Sequence, residues 1–391
     1  MLSEYGDMAD NQFDVVIIGG GIQGAGVAQA AAAAGCSVLL LEKKEPAAGT
    51  SSRSSKLIHG GLRYLETAQF SLVRESLHER KLLLKNAPNL VKLVPFYIPI
   101  YKHTSRRPWQ IRAGLSLYAL LGGGSFRSLP RQEWSQFPHL KTDGLQAIFE
   151  YHDGQTDDTA LTRAVIHSAE KLDAQVLFPA TFIRATRTAD GYEISYQHDD
   201  QEHHCTAPIL VNAGGPWINL IRELIDPPPP GIEIDLVQGA HILFDKQITP
   251  GILYVEAPAD RRAVFIMPWK DKTLVGTTET VYSDEPDRVH PLGTEISYLI
   301  ETLNTYLPNH GAQMIDSFAG LRVLPAASTA AFKRSREVSL ITDFNDRTAY
   351  LGIYGGKLTG YRATAEKVLN RLRPVLPERT QRADTQSIEL E

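Results

Sequence analysis

Residues 14–42 constrain the fold of this chain more than any other stretch. Residues 14–18 (DVVII) read as a short buried strand, and Gly19, Gly21 and Gly24 follow at G-x-G-x-x-G spacing before an alanine-rich helix that runs to about Ala34. Glycines at these positions let a backbone approach a pyrophosphate, while the helix N-terminus offers unpaired N–H groups to the anion. Gly35 ends the helix, residues 37–41 (SVLLL) supply a second buried strand, and Glu42 stands at its end, eighteen residues past Gly24. A carboxylate there can accept hydrogen bonds from a ribose and would repel a phosphate on it. The order strand, glycine turn, helix, strand, acid predicts an α/β fold with a Rossmann-like parallel sheet binding a dinucleotide, either NAD or FAD.

Residues 50–65 (TSSRSSKLIHGGLRYL) carry four serines, two arginines, a lysine, a histidine and a tyrosine. That is too polar for a core and too specific for a linker, so the run reads as part of a reactive centre. Two later segments repeat the form of a strand feeding glycines: residues 209–217 (ILVNAGGPW), with Gly214, and residues 349–359 (AYLGIYGGKLT), where Gly355 and Gly356 are expected to open a helix. A second glycine-fed helix N-terminus suits a flavin, whose N1/C2=O edge becomes negative on reduction.

Taken together, these motifs resemble the FAD-dependent glycerol-3-phosphate dehydrogenases, within the D-amino-acid-oxidase-like flavoprotein superfamily. IIGGGIQGAG, SSKLIHGGLRYLE, LVNAGGPW, VFIMPW with VGTTE, AGLRVLP and YGGKLTGYR occur in the family's order across nearly all of residues 12–375. Val323 departs from the pattern, standing where the family usually has a proline after the arginine. A long helical C-terminal domain found in many members has no counterpart, so the chain resembles a short form.

The resemblance implies FAD as cofactor and oxidation of sn-glycerol 3-phosphate to dihydroxyacetone phosphate by hydride transfer to flavin N5, with electrons passing to a quinone or similar acceptor. Chemically, a phosphate dianion calls for guanidinium groups, and Arg322, Arg336 and Arg63 stand at family motif positions, with Arg334 near enough to Arg336 to share that expectation. Proton abstraction calls for a base near neutrality, for which His241 in QGAHILF matches the family's active-site histidine, with His59 as the second candidate. Tyr64 is expected to orient the hydroxyl, Lys357 to support the flavin N1 edge or the substrate, and Thr359 to contact substrate. Ser54, Ser55 and Lys56 are expected to line the flavin's approach beside Gly214, Gly355 and Gly356. Two alternatives stay open: a flavoenzyme for another small hydroxy or amino acid, and a flavin-binding interaction or regulatory protein without catalysis. The intact HGGLRYL and GGKLT argue against the latter.

A net charge of −5 over 391 residues gives no reason to expect nucleic-acid binding. The two cysteines, Cys36 and Cys205, suggest no disulfide framework, and the adjacent His203, His204 and Cys205 point to alternate strand faces, so no metal site is expected. No G-x-S-x-G elbow marks a serine hydrolase. The acidic N-terminal stretch does not read as a secretory signal and no run is long enough to span a bilayer, so a cytoplasmic location is expected. Between Lys81 and Gln132, however, nine Lys and Arg occur with no Asp or Glu. Within residues 102–121 the cations and Trp109 adjoin the apolar run 115–121 (LSLYALL), which fits either an ordinary core helix or a contact with an anionic membrane surface, on the inner face of the cytoplasmic membrane.

The expected organisation is interleaved. Residues 12–95, 151–226 and 316–375 form the FAD-binding domain, residues 96–150 and 231–315 an antiparallel substrate domain, and residues 376–391 a polar tail. The four-proline run at 227–230 marks the break between them.

Overall fold

The structure, a computed structural model, describes residues 11–326 and 337–391. Its centre is the helix Ile22–Ala33, in which every residue except Gln23 is buried. Alanine and glycine leave nothing to hold neighbours off, so the helix packs closely on a six-stranded sheet. That sheet runs Ser339–Phe344, Ala349–Tyr354, Ile209–Asn212, Val15–Ile18, Val38–Leu41, Gln175–Leu177. Its pairs are parallel apart from the outermost, Ser339–Phe344 against Ala349–Tyr354. Four central strands are buried at every position, as a sheet covered on both faces requires.

One face carries the helices Ile22–Ala33, Asp158–Glu170 and Tyr361–Leu372, whose Ala31, Ala169 and Val368 share a core with Val15, Leu40 and Val211. The other is covered by a four-stranded sheet, with Phe182, Ile194 and Tyr196 against Val16, Leu39 and Leu41. Gln175–Leu177 joins the parallel sheet and Ala180–Arg187 the four-stranded one. Pro179 lies between them and, lacking an N–H, cannot continue a ladder. Cys205 lies in a hairpin turned at Asp199 and Asp200, with φ of +50° and +59°.

The third sheet, of ten strands, is antiparallel for most of its pairs. It contains the strands Ile234–Phe244, Ala263–Trp269 and Lys272–Gly276, and the helix Gly293–Tyr306 packs on it through Leu299 and Leu303. Val91–Tyr101 and Met314–Pro325 also belong to this sheet, so the stretches 12–95 and 316–375 contribute to both sheets rather than to one. The architecture is a mixed α/β fold, a Rossmann-like parallel layer interleaved with an antiparallel sheet.

Residues 376–391 do not hang free as a polar tail. Arg382 N donates to Ala33 O at 2.7 Å, Leu390 N to Asn86 O at 2.7 Å, and Arg379 pairs with Asp14 at 2.8 Å. Leu390 is buried in the process. The apolar run at 115–121 divides between core and surface: Leu115 and Tyr118 are buried, while Leu120 is 84% exposed and the nearby Trp109 70%. No helix among the described residues is long and apolar enough to cross a membrane.

Candidate active site

A cleft of about 450 Å³ opens off the carboxyl ends of Val15–Ile18 and Val38–Leu41 and is lined from both large sheets. Parallel α/β sheets bind their ligands at such strand ends. Gly19 has φ +108°, and a Cβ there would sit 2.7 Å from the Ala213 carbonyl oxygen. At Gly24 a Cβ would collide with the Gly19 carbonyl, so this third glycine allows the helix to close on the strand rather than lining the cleft. Glu42 accepts from Gly20 N at 2.7 Å and from Lys44 N at 2.9 Å, which fixes its carboxylate at the mouth. The glycines and Glu42 together form the cradle a dinucleotide needs, and the cleft continues along Gly214, Gly355 and Gly356. The helix after the last pair begins only at Tyr361, so Lys357 and Thr359 stand on a loop and not in a first helical turn.

The serine-rich loop is held from beneath by a carboxylate that no motif marks. Asp158, fully buried at the start of its helix, accepts from Lys56 Nζ at 2.6 Å, from Ser54 Oγ at 2.7 Å and from Ser54 N at 3.0 Å. Lys56 therefore turns away from the cleft, contrary to the expectation that it lines the flavin's approach. Its φ of +60° reverses the direction a regular extended chain would give the side chain. Ser54 and Ser55 do reach the cleft lining. Ser51 Oγ accepts from Ile22 N at 2.9 Å, tying this loop to the glycine turn.

A second buried carboxylate supports His59–Gly61. Asp153 pairs with Arg80 at 2.6 Å, accepts from Tyr118 Oη at 2.8 Å and from Gly60 N at 3.3 Å. Burial pushes its carboxyl up against the opposing pull of Arg80. Arg80 also donates to the carbonyls of His152, Gly122 and Gly123. Neither Asp153 nor Asp158 has a local sequence signal of this role; only the Asp157–Asp158 pair before TALTR marks a helix start.

The cleft wall also carries His241, Arg322, His59, Arg63, Tyr64, Lys357 and Thr359. His241 is 2% exposed, stacks on Phe318 with ring centres 4.9 Å apart, and its Nε2 lies 2.9 Å from Ser55 Oγ. Burial, aided by the cations Lys56 and Arg322, holds its pKa down to about 3, so the ring is neutral rather than poised near neutrality. A Cβ on Gly276 would strike this ring. Arg322 Nη1 pairs with Glu279 at 2.7 Å and Nη2 donates to Thr278 O at 2.7 Å. Glu295 fixes that segment, accepting from Thr278 Oγ1 at 2.6 Å and Thr280 Oγ1 at 2.7 Å while buried. Lys357 Nζ lies 4.0 Å from the Tyr64 ring centre, and Thr359 Oγ1 accepts from His59 N at 3.3 Å. Arg336 and Arg334 lie outside the described residues.

The geometry has matches among known proteins. The sequence pattern of the FAD dependent oxidoreductases covers residues 14–362. A glycerol-3-phosphate dehydrogenase of Pseudomonas aeruginosa is 38% identical over 374 residues, spanning 93% of this chain and 72% of that protein. A D-erythritol 1-phosphate dehydrogenase of Brucella abortus is 35% identical, spanning 93% and 74%. The solved glycerol-3-phosphate dehydrogenase of Bacillus halodurans complexed with FAD superposes with a TM-score of 0.78 at 26% identity, over 98% of this chain and 69% of that one. A glycine cradle closed by Glu42, the loop at 50–65 and this breadth of similarity lead to one assignment: the chain belongs to the FAD dependent oxidoreductase family.

Proposed function

We propose that this flavoenzyme oxidises sn-glycerol 3-phosphate at C2 to dihydroxyacetone phosphate and passes the electrons to a quinone or similar acceptor. The observation that carries the reading is the presence of guanidinium, ammonium and imidazole groups on the wall of the cleft that also holds the dinucleotide cradle. The names of the Pseudomonas and Bacillus relatives point to the same substrate.

A phosphate dianion is met by Arg322, whose fork is held in one orientation by Glu279 and the Thr278 carbonyl before substrate arrives. Arg63 supplies the second cation. Tyr64, under the Lys357 ammonium, orients the C2 hydroxyl. When bound, FAD supplies the acceptor at N5 that takes the C2 hydrogen with its electron pair. His241 takes the hydroxyl proton at Nε2, in place of its contact with Ser55. For that the imidazole must become more basic than in the free site. Burial is the main cause of the low pKa and the charge of Arg322 a lesser one, so the dianion, by offsetting that charge, moves the imidazole in the required direction.

The Brucella relative's name supports a second reading, a longer polyol phosphate in the same cleft. The same family of roles extends to the surface. Trp109 and Leu120 are exposed beside the exposed cations Lys102, Arg107 and Arg112, and positions 109, 113, 116 and 120 share one helical face, which suits peripheral contact with anionic lipid where a quinone is reached. The decisive experiment adds glycerol 3-phosphate to the purified, FAD-loaded protein without oxygen and follows visible absorbance. Bleaching is expected. Flavin bleached by erythritol 1-phosphate or an amino acid, and left unchanged by glycerol 3-phosphate, overturns the substrate.

A further inference from the structure

The Glu42 end of the cleft is crossed by a segment from the antiparallel sheet. Residues 283–292 connect the strand Thr280–Tyr282 to the helix Gly293–Tyr306, and the short turn Pro286–Arg288 brings Asp287 against the residues just past Val38–Leu41. There Asp287 accepts from Lys43 Nζ at 2.9 Å, from Lys44 Nζ at 3.0 Å and from Trp217 Nε1 at 2.9 Å. Lys43 Nζ also stands 3.9 Å from the Trp217 ring centre, a cation–π contact. Pro286 and Asp287 line the same cleft as Glu42 and Gly19.

The two ends of this strap are held differently. At its root, Tyr282 Oη donates to Glu285 O at 2.8 Å, and His290 O accepts from Gln238 Nε2 at 2.9 Å. Gln238 is buried and bonded in turn to Glu295 at 2.5 Å, so the root is anchored in the core. At its tip the side chains of Asp287, Lys43 and Lys44 are 44%, 36% and 60% exposed. Exposed ion pairs are individually weak and screened by salt, so the tip is the part that can lift while the root stays in place.

We propose that Asp287, Lys43, Lys44 and Trp217 form a clasp over the adenosine end of the cleft that sets the rate at which FAD leaves. Glu42 faces inward to Gly20 while its two neighbours are drawn outward to Asp287, so the ribose carboxylate and the clasp do not compete. Exit of the adenosine moiety requires the strap tip to release three polar contacts together. The clasp rests on FAD as cofactor and not on the identity of the substrate.

The test follows flavin fluorescence as the purified holoenzyme is diluted, with no substrate present, so its outcome is independent of the substrate assignment. Asp287→Ala is expected to speed FAD release about three- to tenfold, the range three weak exposed contacts support. Lys43→Met with Lys44→Met, which leaves the Trp217 contact in place, should speed release by less, and adding both changes to Asp287→Ala should add little, because Asp287 is the partner that the three contacts share. Raising salt should speed release from the wild-type protein and leave Asp287→Ala unchanged. Wild-type release rate and salt response in Asp287→Ala overturn the proposal. So does faster release that is matched by an equal loss of thermal stability in the flavin-free protein, since that would mark general loosening of the fold.

Discussion

Lys56 and Asp158 form an ion pair of 2.6 Å in which neither side chain is more than 8% exposed, and the pair fixes the loop that leads to His59. Breaking such a pair leaves an uncompensated buried charge, whereas replacing both partners can be nearly neutral. Asp158→Asn is expected to destabilise the protein by about 3–5 kcal/mol and to lower its flavin content, and Lys56→Met with Asp158→Leu to recover much of the stability. Denaturant midpoints and the absorbance ratio of flavin to protein measure both. A single variant with an unchanged midpoint would remove this pair from any structural role.

Arg322 is held by Glu279 and the Thr278 carbonyl in an orientation that a lysine cannot reproduce. Arg322→Lys should lower kcat/KM for glycerol 3-phosphate by on the order of a hundredfold, mostly through KM, with flavin absorbance unaltered. Full activity in this variant would take Arg322 out of phosphate recognition.

His241 has its pKa lowered from an ordinary value near 6.5 to about 3, chiefly by burial. The folded state thus prefers the neutral ring, and the unfolded state binds the extra proton between those two values. Its contribution to stability is complete above pH 6.5 and is lost as pH falls towards 3, with an upper bound on the order of 5 kcal/mol over that window. His241→Asn should therefore lose less stability between pH 7 and pH 4 than the wild-type protein in matched urea titrations. The same variant should lower kcat by roughly 10²–10⁴-fold if the imidazole takes the proton.

The exposed Trp109 and Leu120 predict that the protein floats with anionic vesicles at low salt and that Trp109→Ser with Leu120→Ser abolishes this while flavin bleaching by substrate persists. Wild-type protein that stays at the bottom of the gradient removes the membrane contact.

What the sequence made legible was local. The strand at Val15–Ile18, the glycine turn and Glu42 are close along the chain, and each residue's type follows from its own backbone position, so the order of residues alone is enough to place the cradle. The direction of Lys56 is not legible in this way, because it depends on a positive φ and on a carboxylate 102 residues away. Asp153 with Arg80, Glu279 with Arg322 and the Asp287 clasp are likewise pairings between elements that periodicity treats as separate. The expectation that His241 titrates near neutrality fails for a related reason: motif position identifies the residue, whereas its pKa is set by burial and by cations from two other segments. Residues 376–391 read as a tail because they lack an apolar period, yet main-chain hydrogen bonds and one leucine suffice to seat them.

The parallel sheet places Val15 beside Ile209 and Ile209 beside Ala349. During synthesis the first strand therefore leaves the ribosome long before either of its later neighbours exists, and the layer that receives the cofactor stays open along one edge until residue 354 has emerged. Pairings this distant along the chain form slowly and expose an apolar edge meanwhile. A nascent chain halted short of that strand would be a substrate for chaperones, not for FAD, which makes loading of the flavin an event that follows synthesis of the strand Ala349–Tyr354.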